Sequence, residues 1–269
     1  MSQSLKKNSF YNILKTCSSI FFPLITFPYI SRVLQPENIG KINFSSSFIN
    51  YFSLIAMLGL QPYAVRECAA IKNDLSKLSQ TASEIFSINI LTTLIAYLLL
   101  IFSCVFWRNL DYYRFLIVIL SSKILFTSLS ADWLNSAMED FKYITIRSVV
   151  FQIIALVAMF IFVKSKEDYI NYAIIGIISS CGASIVNIWY RRRYCNIKFT
   201  FSIPWKKHLP PILYLFVMSL SVIIFNNTDI TMLGLMWNDR EVGLYSSAHR
   251  ITFLVAHFVQ AIVHVLIPR

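Results

Sequence analysis

The sequence predicts an all-α, polytopic membrane protein of eight spans: a six-helix bundle followed by the first two helices of a second bundle. Three observations carry this. Of the 269 residues, 57% are hydrophobic and only 14% charged, against about 25% charged in an ordinary soluble domain. The apolar residues fall into runs of roughly 20, the length that crosses a ~30 Å hydrocarbon core at 1.5 Å per residue. Aromatic residues gather near the ends of those runs, at Trp107, Tyr112, Tyr113, Trp189, Tyr190 and Trp237, where an interfacial belt sits.

The spans are expected near residues 9–34, 42–64, 82–106, 114–136, 145–163, 169–190, 211–236 and 244–267. Lys6 and Lys7 precede the first run, and no small-residue cleavage site follows it, so it reads as a retained span. In PYISRVLQPENIG (Pro28 to Gly40), Pro28 is expected to bend that helix and Gly40 to permit a tight re-entry into the second. Fourteen Lys and Arg fall on the side of the N-terminus and six on the other, which places both termini in the cytoplasm. That bias also explains the formal charge of +11 better than a nucleic-acid partner does. The basic residues cluster between apolar runs instead of covering an amphipathic surface.

Domain boundaries follow from the connections. Residues 1–196 form the expected six-helix bundle, 197–210 a basic cytoplasmic linker beside anionic lipid, and 211–269 an incomplete C-terminal bundle of two helices. LQPENIGKINFSSSF (Leu34 to Phe48) and MWNDREVGLYSSAHR (Met236 to Arg250) share a pattern: a span ends, polar residues turn, an Ile-Gly or Val-Gly pair follows, and a Ser-rich helix re-enters. Gly40 and Gly243 stand 203 residues apart, the mark of an internal repeat such as transporters use to hold substrate between halves.

Charges inside spans are expensive in lipid and are functional candidates by default. Lys15 and Arg32 lie near enough to the ends of the first span to snorkel. Lys123 lies about 13 Å inside the fourth span, in LIVILSSKILFTSLS. FNNTDITMLG in the seventh gathers Asn226, Asn227, Thr228 and Asp229. Asp229 and Arg250 are expected at similar depth, so that a hairpin joins them as a coupled pair. Arg250, His257 and His264 recur every seven residues on one face of the eighth span, and Asn43, Ser46, Ser47, Asn50 and Ser53 form a comparable stripe on the second. Such stripes serve either interhelical hydrogen bonding or a hydrophilic, net cationic cavity. The five cysteines show no paired spacing and read as small apolar residues.

Three stretches carry a resemblance: FPYISRVLQPENIGKINFSSSFINYFSLIAMLGLQPYAVRECA (Phe27 to Ala69), WLNSAMEDFKYITIRSVV (Trp133 to Val150) and NNTDITMLGLMWNDREVGLYSSAHRI (Asn226 to Ile251). The chain resembles the lipid-linked polysaccharide flippases of the O-antigen and exopolysaccharide type, within the multidrug/oligosaccharidyl-lipid/polysaccharide exporter superfamily. The resemblance implies a MATE-like pair of six-helix bundles around a central cavity that opens alternately to cytoplasm and periplasm across the inner membrane. The cargo it implies is an undecaprenyl-pyrophosphate-linked oligosaccharide, with Arg32, Lys123, Arg250 and Asn226 as substrate-binding candidates and Asp229 and His257 as coupling candidates. It implies no covalent chemistry, cofactor or metal. Its expected partners are the lipid-linked oligosaccharide, membrane lipids, and polysaccharide polymerase and chain-length proteins, with no nucleic acid. Members of that family typically have twelve or more spans, so a chain of eight is expected to lack part of the second bundle. The alternatives are a drug/cation antiporter of the same superfamily, which calls for acidic residues in the first bundle's core, and a polytopic acyltransferase, which calls for an early histidine where the first here is His208.

Overall fold

The computed structural model describes the backbone from residue 2 to 266 and side chains at residue 8 and from 10 to 253. Among the described residues there is no β-strand. The helices are α1 (Ser2–Met57), α2 (Leu60–Ala70), α3 (Leu75–Phe106), α4 (Arg114–Ser130), α5 (Trp133–Ala137), α6 (Phe141–Phe162), α7 (Tyr169–Tyr190), α8 (Trp205–Met236) and α9 (Asp239–Leu266). Six stretches of the described chain are long and apolar enough to span a membrane: Phe10–Ala70, Leu75–Phe106, Arg108–Ser130, Phe141–Phe162, Lys166–Arg193 and Trp205–Met236. The chain is a multi-pass membrane protein.

Six stretches replace eight expected spans for two reasons. The first two spans are one bent element, because the turn between them takes a single residue. Pro36 denies its predecessor the helical region, and Gln35 moves to φ 61°, ψ 164°. Helix resumes at once, so the turn is at Gln35–Pro36. Gly40 already lies within helix and makes no tight re-entry. The eighth span falls in α9, whose later side chains lie outside the described residues.

The two arms of α1 do different work. The first exposes Phe10, Ile13, Phe21, Leu24 and Ile25, an apolar face suited to lipid. The second buries Ile39, Ile42, Phe44, Phe48, Ile49 and Phe52 and forms the axis on which α3, α4, α8 and α9 pack. At its foot, Leu58 and Gly59 turn through the left-handed region, at φ 43° and 69°. A Cβ at Gly59 would stand 2.6 Å from the backbone nitrogen of Phe216, so α8 touches main chain there.

The matched stretches of the repeat meet face to face. A Cβ on Gly40 would stand 1.7 Å from the carbonyl oxygen of Asp239, and one on Gly243 would stand 1.8 Å from that of Pro36. Each glycine accommodates the residue four before its counterpart, a two-fold arrangement. Asn43 and Ser246, also 203 apart, continue it with a 2.7 Å hydrogen bond. We call this the kink end of the molecule, where Tyr113 Oη also donates to Asp239 at 2.6 Å.

At the opposite, linker end, residues 194–204 run without regular helix along α3. Their main chain is paired through a serine ladder at i, i+4 spacing: Ser79 Oγ donates to Asn196 O (2.9 Å), while Ser83 and Ser87 accept from the N–H of Lys198 (3.0 Å) and Thr200 (2.8 Å). Irregular backbone is tolerated beside a membrane only when its polar groups are met in this way. A core of Leu60, Tyr63, Leu78, Ile85, Trp133, Leu134 and Ile212 closes this end. Arg147 is buried in α6 and paired with Asp132 at 3.0 Å.

Candidate functional site

The polar stripe on the second arm of α1 divides its labour. Ser47 Oγ donates to the Asn227 carbonyl at 3.0 Å and lies 2.8 Å from Thr231 Oγ1, and Asn50 Nδ2 donates to Asn227 Oδ1 at 3.0 Å. These bonds fasten α8 to α1. Asn43, Ser46 and Asn50 also border open space.

That space is a cavity of about 260 Å³ between the second arm, α4, α7 and α9, lined by Asn43, Ser46, Asn50, Lys123, Ser180 and Arg250 among others. Gly176 faces this space, and a Cβ there would meet nothing within 4 Å. Arg250 also lines two neighbouring hollows. One, of about 370 Å³, lies against the first arm of α1 with Thr26 and Tyr172. The other, of about 420 Å³, lies between α1, α8 and α9 with Asn43, Asn50, Asn226 and His249. Arg250 thus lines all three hollows. Its guanidinium sits 5.2 Å over the Phe27 ring, a cation–π contact that holds it without neutralising it.

The charge balance is one-sided. Among the described residues, no Asp or Glu lines any of the three hollows, and neither Lys123 nor Arg250 has a carboxylate within ion-pair distance. Unpaired cations in a partly dehydrated hollow attract anions strongly, because the field there is little screened.

The other candidates distribute unevenly. Asn226 reaches the third hollow. Arg32 is exposed on the first arm and lines none of the three. The expected Asp229–Arg250 pair does not form: Asp229 accepts a 2.6 Å hydrogen bond from Tyr245 Oη, five residues before Arg250 on α9, and α9 turns Arg250 toward α1. The side chains of His257 and His264 lie outside the described residues.

A model of the family described as "Polysaccharide biosynthesis protein" matches residues 5–269. The chain belongs to the polysaccharide biosynthesis protein family. Two relatives carry the printed name "Putative O-antigen transporter". The one from Escherichia coli (strain K12) is 22% identical over 283 residues, covering 99% of this chain and 65% of the relative. The one from Shigella dysenteriae is 25% identical over 191 residues, covering 70% of this chain and 47% of the relative. The chain therefore spans less than two thirds of the length of either. No solved structure matches it.

Two groupings in this polysaccharide biosynthesis family member escaped the sequence reading. His249 stacks on Tyr245 and meets Phe253 at a tilt of 31°, with 5.9 Å between ring centroids on each side; the i, i+4, i+8 spacing of three rings was the available signal. At the linker end, His208 of α8 is fully buried between Tyr63 Oη (2.7 Å from Nδ1) and Glu84 Oε2 (3.0 Å from Nε2). Glu84 thus lies buried inside α3, and no local pattern announces a contact across 124 residues.

Proposed function

We propose that this chain carries out the membrane translocation of an oligosaccharide linked to a polyprenyl lipid through pyrophosphate. In this reading it works in the bacterial inner membrane with both termini cytoplasmic, moving its cargo by alternating access without covalent chemistry. The observation that supports it most is the acid-free hollow set with Lys123 and Arg250. A pyrophosphate diester offers a dense cluster of anionic acceptors, and a guanidinium and an ammonium on facing helices match it as a fork and a point charge. The lipid tail then lies along the apolar exterior. The names carried by the relatives agree with a saccharide-linked cargo, and the expected six-helix bundle, basic linker and second bundle suit a rocking of two halves about the site.

The test is restoration of surface O-antigen in a bacterial strain lacking its own O-antigen flippase. The chain is expected to restore it. Arg250→Gln and Lys123→Gln are each expected to lower the restored level about tenfold or more, the cost of one charge-assisted hydrogen bond, with Arg250→Lys intermediate. No restoration by the unaltered chain, or full restoration by both Gln variants, contradicts the reading.

A further inference from the structure

The linker end carries a second cationic hollow, away from those around Arg250. Residues 169–228 contain no Asp or Glu, and their six Lys and Arg all fall between Arg191 and Lys207. Three of them form the single turn Arg191–Arg193 that follows α7. Arg193 shares a hollow with Asp140, whereas Arg191 and Arg192 line another, of about 350 Å³, with Cys195, Asn196 and Ile197. No carboxylate lines this second space, and among the described residues neither arginine makes an ion pair. The Arg191 guanidinium stands 4.7 Å over the Phe86 ring of α3, and its Nη1 is buried without an acceptor. The ring holds the cation in place but supplies none of the acceptors that its N–H groups call for.

The serine ladder sets what lies beside this hollow. Asn196 pairs with Ser79 and Thr200 with Ser87, so the linker descends about 12 Å along α3 toward the middle of that span. On this descent Phe199 and Phe201 are 43% and 87% exposed, with their ring centroids 4.9 Å apart. Trp189 near the end of α7 and Trp205 at the start of α8 are exposed as well. Cations at the top of the descent and bare aromatic rings further down match the two parts of a phospholipid, an anionic head and apolar chains. A water-soluble anion needs only the first part.

We infer that Arg191 and Arg192 bind the phosphate of an anionic phospholipid in the leaflet at the linker end, with its acyl chains along Phe199 and Phe201. Loop cations that merely orient a chain stand free in water, whereas Arg191 is packed on a ring beside a hollow, where its planar fork suits a phosphodiester. The bound lipid clamps the segment that joins α7 to α8. This site does not depend on the cargo proposed above.

The purified full chain in nonionic detergent is to be titrated with dioctanoyl phosphatidylglycerol, dioctanoyl phosphatidylcholine and glycerol phosphate, with tryptophan fluorescence as the readout. Phosphatidylglycerol is expected to bind about tenfold tighter than phosphatidylcholine, which has the same chains but a cationic head group. Glycerol phosphate, without chains, is expected to bind at least about tenfold more weakly than phosphatidylglycerol. Arg191→Gln and Arg192→Gln are each expected to reduce the preference between the two lipids about fivefold, and Arg191→Lys, which keeps the charge and loses the fork, to fall between. Arg192 is exposed, so its variant should keep the unfolding midpoint of the unaltered chain when no lipid is added. Phe201→Ser is expected to weaken both lipids about fivefold and leave their ratio unchanged. Equal affinity for the two lipids, or full retention of the preference in both Gln variants, overturns the site. Glycerol phosphate binding as tightly as phosphatidylglycerol overturns the lipid in favour of a soluble phosphate compound.

Discussion

At the scale of single residues, chemistry divides between groups left unpaired and groups fully paired. Arg250 and Lys123 meet no carboxylate, whereas Asp140 at the linker end is saturated. It accepts from Tyr194 Oη at 2.5 Å, Tyr190 Oη at 2.7 Å and the Tyr143 N–H at 3.2 Å. Burial alone pushes the Asp140 carboxyl up, but these donors and Arg193 outweigh it and hold it below its ordinary 3.8. A carboxyl whose folded value is depressed contributes stability that is complete above that ordinary value and is lost as pH falls through the folded one. Thermal unfolding of the detergent-purified chain is therefore expected to show a falling midpoint below pH 3.8, and Asp140→Asn should flatten that fall while lowering the midpoint at neutral pH. An unchanged acid limb in the variant would contradict the assignment. The polar residue types on α1, α4 and α9 were legible in the sequence, because charges and amides inside apolar runs stand out. Their pairing was not. Asp229 accepts from Tyr245 Oη, while Arg250 lies over the Phe27 ring.

Helices extend the point to the scale of elements. Their existence followed from apolar run length, and α7 occupies the expected residues 169–190. Two starts moved instead. The Asp74 side chain accepts the Lys77 N–H at 3.1 Å and begins α3 seven residues before the apolar run, and α8 begins at Trp205, six residues before the expected 211. The role of Gly40 changed in kind. It was read as a turn residue, and it is where two helices approach main chain to main chain. Because the atoms a Cβ would strike at Gly40 and Gly243 are backbone carbonyls, no side-chain rotation relieves the clash. Gly40→Ala and Gly243→Ala are each expected to cost about 1–3 kcal/mol, the usual penalty of overpacking, whereas Gly176→Ala, facing open space, should leave stability unchanged. Denaturation midpoints of the three variants check this ordering.

For the whole molecule, the 203-residue repeat is the organising fact. It was visible as one glycine and a general pattern, and it became a two-fold contact in which Pro36, Gly40 and Asn43 answer Asp239, Gly243 and Ser246. Sequence alone could not show that the two copies touch, since contact depends on helices separated by the whole first bundle. The contact closes the kink end, and below it α1 and α9 part to leave the hollows around Arg250. The account stands on the claim that this space holds an anion. Calorimetric titration of inorganic pyrophosphate into the purified chain tests it most directly: the unaltered chain and Asp229→Asn should bind, and the double variant Lys123→Gln, Arg250→Gln should lose at least about a hundredfold in affinity. Equal binding by the double variant and the unaltered chain would contradict the claim.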